Sequence, residues 1–99
     1  YVSQLTHAIA ISLMNANADE HLVDYTGDSF RDLTRIANIN EALWSELFFA
    51  KKSALIEEIG QFEGSVNDVK RALESGDEAA LKALMRQSAA RRRLFDKKE

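Results

Sequence analysis

Apolar residues recur at three- and four-residue steps along almost the whole chain, and that spacing predicts helices. Val2, Leu5, Ile9, Leu13 and Ala16 form one stripe, which places a first helix over residues 2–18. Ser3 and His7 are four apart and share a different face of it. A polar stretch with His21, Asp24 and Gly27 follows and reads as a loop. A second, short helix is expected over residues 29–37, with Ser29 and Asp32 at the spacing of a capping box. Its Phe30, Leu33 and Ala37 point one way, and Arg31 and Arg35 sit one turn apart on another face.

A third helix is expected over residues 41–75. Asn40 is a good N-cap, and Ile39 and Trp44 have the spacing of a hydrophobic staple. Leu55, Ile59, Phe62, Val66, Val69 and Leu73 then recur as a heptad-like seam. An unbroken helix of this length would run about 50 Å. So small a chain cannot cover such a rod, and the natural cover is a second subunit. Trp44, Leu55, Ile59, Phe62 and Val66 are therefore read as core or dimer contacts. Gly60 and Gly64 each cost about 1 kcal/mol inside a helix and are read as marks of a bend or a close helix crossing. Gly76 ends the helix and Asp77 caps a last one over residues 78–95. That helix carries Leu81, Leu84, Ser88, Arg91 and Phe95 on one stripe. Arg91, Arg92, Arg93, Lys97 and Lys98 cluster at its end, where cations favour the helix dipole.

Proline and cysteine are both absent, which supports the helical reading and removes any disulfide framework, thiol nucleophile or cysteine metal site. Lack of cysteine also fits a reducing compartment, and a cytoplasmic location is expected. The 99 residues suffice for one small domain, with 45% apolar and 29% charged residues as in a soluble globular protein. The fold class expected is all-α, a helical bundle around one long central helix. The net charge of −3 gives no bulk attraction to nucleic acid or anionic membrane. No apolar run approaches the roughly 20 residues that span a bilayer, and no signal-peptide pattern is present. The chain opens at Tyr1, already inside an amphipathic pattern, so it is expected to be part of a longer protein. Its glycines at 27, 60, 64 and 76 form neither a G-x-G-x-x-G turn nor a P-loop, so no cofactor-binding residue is assigned.

Few residues suggest chemistry by themselves. His7 and His21 have no compact ligand spacing, so no metal is expected. Ser3 and His7 lie one helical turn apart, but no orienting acid accompanies them and no nucleophilic catalysis is expected. The arginine run at 91–93 sits in an acidic chain without a marked recognition helix, so nucleic acid is not an expected partner. From spacing alone, Arg35 reads as a surface arginine paired with Asp32 or Asp28.

Two stretches change that picture. Tyr1-Val-Ser-Gln-Leu-Thr-His7, followed by an apolar helix, resembles the Ser-His-Leu-Pro-His motif opening the C-terminal domain of prephenate dehydrogenases. Ser29-Phe-Arg-Asp-Leu-Thr-Arg-Ile-Ala37, with Leu43-Trp44 downstream, resembles that family's Phe-Arg-Asp-x-Thr-Arg-Ile-Ala segment and its following tryptophan. The resemblance covers essentially the whole chain. It implies an enzyme of tyrosine biosynthesis that oxidises prephenate, or arogenate, with NAD or NADP and releases carbon dioxide. It also implies that residues 1–99 are the C-terminal helical domain for dimerisation and substrate binding. Such a domain intertwines as a homodimer, is similar to the C-terminal domain of 6-phosphogluconate dehydrogenase-like enzymes, and follows a Rossmann domain that this chain lacks. The catalytic histidine and most of the cofactor site would lie in that other domain, leaving this chain inactive alone.

Carried over by position, the resemblance makes Arg35 the arginine that grips a substrate carboxylate. Ser3 and His7 become polar pocket contacts, with Arg31 and Thr34 as supporting groups. A planar guanidinium suits a substrate with two carboxylates. Some positions depart from the motif. Gln4 replaces its first histidine and Thr6 its proline; Ile39 stands where Ser or Thr is frequent, Asn40 where Asp is, and Lys51 where Asn is common. Gln4 and Lys51 best support a rival reading, a non-catalytic dimerisation module with a drifted pocket.

Overall fold

The structure is a computed structural model that describes residues 2–16 and 27–96, with side chains from Gln4 onward in the first stretch. The expected loop residues His21 and Asp24, the Ser3 side chain, and Lys97 and Lys98 lie outside it. The described residues form five α-helices and one 3-10 turn, with no strand. The chain divides into two compact units, Tyr1–Gly60 and Gln61–Glu99.

In the first unit, α1 spans Val2–Asn15. It leaves helical geometry at Ala16, before the residue 18 expected. Its deepest residue is Ala10, fully buried, which the predicted stripe omits. Gln4, His7 and Ile11 are half-buried as well, so α1 turns two faces inward. It packs on the next two described elements, α2 at Asp28–Thr34 and a 3-10 turn at Arg35–Ala37. The expected capping box at Ser29 is corrected here. The helix starts one residue earlier, its N-cap is Gly27, and no side chain caps it. The inward residues also differ, because the helix tightens after Thr34. Phe30, Thr34 and Ala37 turn in, and Leu33 stays 64% exposed. Their spacing of four then three centres the inner face one position past Leu33.

The long helix expected over residues 41–75 is broken. Helix α3 spans Glu41–Ala50 and α4 spans Lys52–Ser75. Lys51 between them leaves helical geometry (φ −125°, ψ 40°) and turns its N–H to the Phe49 carbonyl. Its own carbonyl accepts from the Leu55 N–H and so starts α4. No glycine or proline marks the site, and both flanks have good helix formers, so nothing in local propensity signals the break. Asn40 caps α3 as expected, accepting from the Leu43 N–H at 3.1 Å. Gly60 and Gly64 lie inside continuous helix, and a methyl at either would meet nothing within 4 Å. Among the described residues, the close crossing expected there does not form.

In the second unit, α4 ends in a complete Schellman motif. Asp77 N–H donates to the Ala72 carbonyl and Gly76 N–H to that of Leu73. This needs a left-handed residue, supplied by Gly76 at φ +66°. Asp77 then caps α5, Glu78–Asp96, by accepting from Ala80 N–H at 2.9 Å. Burial concentrates beside this turn, where Ala72 is buried and Ala80, Leu81 and Leu84 are half-buried. Away from it Val66 is 50% and Leu73 65% exposed.

Candidate functional site

The residues singled out by the motifs fall mostly on α1, α2 and the 3-10 turn. His7 stands in the middle of α1, half-buried, and its imidazole stacks on the Trp44 indole of α3. The ring centroids are 3.7 Å apart and the planes 21° from parallel. Trp44 is braced in turn by the edge of Phe48, one turn further along α3, at 6.2 Å and 83°. One turn before His7, the Gln4 carboxamide donates to the Leu47 carbonyl at 3.3 Å. The backbone of Ser3 lies on α1 one turn before His7.

Arg35 opens the 3-10 turn that packs on α1, so the elements bearing His7 and Arg35 are neighbours. Its side chain is exposed, and among the described residues it makes no hydrogen bond or ion pair. The surface pairing with Asp32 or Asp28 does not form. An unpaired guanidinium keeps its full set of donors for an incoming anion. Arg31 is exposed likewise. Thr34 is buried, and its hydroxyl donates to the Phe30 carbonyl at 2.8 Å. That bond satisfies the hydroxyl within its own helix.

An open cleft of about 520 Å³ lies beside this region. Its walls include Ile11, Met14 and Asn15 of α1, and Thr34, Ala37 and Ile39 opposite. Ile39 adds an apolar side chain to that wall. Neither Arg35 nor His7 lines this cleft. The described residues gather no set of three or more His, Cys, Asp or Glu that could hold a metal ion. None of their helices is long and apolar enough to cross a membrane.

Of the positions expected at a dimer contact, Leu55 is 5% exposed and already covered by its own chain. Trp44 and Ile59 are half-buried, whereas Phe62 and Val66 are open. Sequence reasoning missed the partnership of Trp44 with His7. The two lie on separate helices far apart in the chain, and no local pattern connects them. A family model described as prephenate dehydrogenase, dimerization domain, matches residues 1–87. The chain belongs to that family.

Proposed function

We propose, from this membership, that the chain is the self-associating helical part of an enzyme that oxidises prephenate or arogenate, and that Arg35 binds a substrate carboxylate. The observation that carries the proposal is the free guanidinium of Arg35, exposed on a turn seated against α1. A buried or paired arginine would already have its donors engaged. A free one offers two parallel N–H groups to a carboxylate, which fixes orientation as well as affinity. His7 on the neighbouring helix contributes a polar contact, as does Ser3, while Arg31 and Thr34 support the Arg35 turn. The contribution of these residues to rate is positioning.

The described residues do not fit a dinucleotide. Gly76 is spent on a helix end, Gly60 and Gly64 sit inside a helix, and Gly27 precedes a helix of only 7 residues. We therefore assign NAD or NADP, and the acid–base group of the reaction, to a Rossmann-type domain outside this chain in a cytoplasmic enzyme. Self-association is assigned to the open apolar face of α4, with Phe62 and Val66 at its centre and Ile59 one turn before them on the same helix. The rival, a dimerisation module with a drifted pocket, draws support from Gln4, whose side chain is turned onto α3.

The test is NAD(P)H formation by the intact protein, with prephenate and arogenate supplied separately. Hydrogen bonds to charged groups contribute about 1.5–3 kcal/mol. Arg35→Ala should therefore raise the substrate KM roughly 10- to 100-fold and leave the KM for the dinucleotide nearly unchanged. A folded dimer that binds dinucleotide but turns over neither substrate would favour the rival.

A further inference from the structure

We propose that Trp44 is a positioning residue, which fixes the plane and direction of the His7 imidazole that meets the substrate. The inference rests on the reading of His7 as a substrate contact. A histidine side chain has several staggered rotamers, and its contacts choose among them. Contact with an indole face at 3.7 Å and 21° selects the one that lies flat against the ring. Trp44 is itself held in place. It lies in the first turn of α3, where its N–H donates to the Asn40 carbonyl at 3.0 Å, and Phe48 abuts its ring.

The second contact between the same helices completes the argument. Gln4 meets Leu47, and His7 meets Trp44. A forward step of one turn on α1 thus corresponds to a backward step of about one turn on α3. The two contacts are successive rungs of one antiparallel ladder. Together with the packing of α1 on α2 and the 3-10 turn, they fix the rotation of α1 about its own axis, and that rotation sets where His7 points. Gln4, which departs from the motif, acts here as a latch between helices.

The experiment is a double-mutant cycle in the intact enzyme, reading kcat and KM for the substrate and KM for the dinucleotide. Trp44→Leu should lower substrate kcat/KM roughly tenfold, the scale of an aromatic pair. The KM for the dinucleotide should not move, and Trp44→Phe, which retains a flat ring, should restore most of the loss. In a His7→Ala background, Trp44→Leu should add less than about twofold. A loss as large there as in the native background would overturn the inference and leave the function of the chain standing. Native kinetics in His7→Ala would remove the substrate contact itself, and this inference with it. Should Trp44→Leu fail to fold, Gln4→Met and proton NMR decide. The His7 ring protons should resonate upfield under the indole ring current, and Gln4→Met should reduce that displacement along with kcat/KM. Unshifted imidazole protons in the native protein would refute the stack outright.

Discussion

The two compact units are built on different principles. In Tyr1–Gly60 the distinctive contacts link residues far apart in the chain, such as Gln4 with Leu47 and His7 with Trp44. In Gln61–Glu99 the polar contacts described are local. Lys82 pairs with Glu78 and Arg92 with Asp96, each one turn away, and Ser88 bonds the Met85 carbonyl. Arg92 also lies over the Phe95 ring at 5.6 Å. The second unit keeps its large apolar residues in the open, with Phe62 37%, Val69 42% and Phe95 67% exposed. A unit with this surface lowers its free energy by covering it, which is what a dimerisation domain does. On the proposed function, the substrate contacts of Arg35 and His7 fall in the first unit, and the open face of α4 at Phe62 and Val66 falls in the second.

The strongest way to break this division is to place a charge on the open face of α4. Val66→Glu should weaken self-association at least 100-fold, since an unpaired charge buried in an interface costs several kcal/mol. Light scattering across a dilution series would measure it. A dimer of native affinity would mean that the contact lies elsewhere. Gly76→Ala should have a smaller effect, about 1–2 kcal/mol, because a side chain at φ +66° is strained even in open space. Hydrogen exchange should then accelerate around the α4–α5 turn while α1 and α2 keep their protection. Uniform loss of protection would show that the units unfold as one. The smallest effect is expected for Lys82→Ala, whose ion pair is mostly exposed, with 61% and 77% of the two side chains open. A change in stability within about 0.5 kcal/mol, read from the denaturation midpoint, would agree with a solvated surface pair.

Much of the fold was legible because its signals are local. The Asn40 cap, the Gly76–Asp77 break and the last helix all follow from side chains that bond backbone groups three or four residues away. The break at Lys51 was not legible, since its neighbours are ordinary helix formers and no glycine or proline marks it. The inward side of α2 likewise shifted from Leu33 to Thr34 once the helix tightened into a 3-10 turn.

The candidate site divides along the same line. The sequence by itself determined which residues are candidates for chemistry. Arg35 and His7 stand out by motif, and the family follows from residues 1–87. Only the tertiary structure decided the state of those residues. It left Arg35 without its expected aspartate partner, turned Thr34 onto its own helix, and laid His7 against Trp44. Helix periodicity is a property of a few consecutive residues, and it survives reading one turn at a time. The neighbour of a side chain depends on how helices separated by many residues rotate and pack, and no local spacing encodes that.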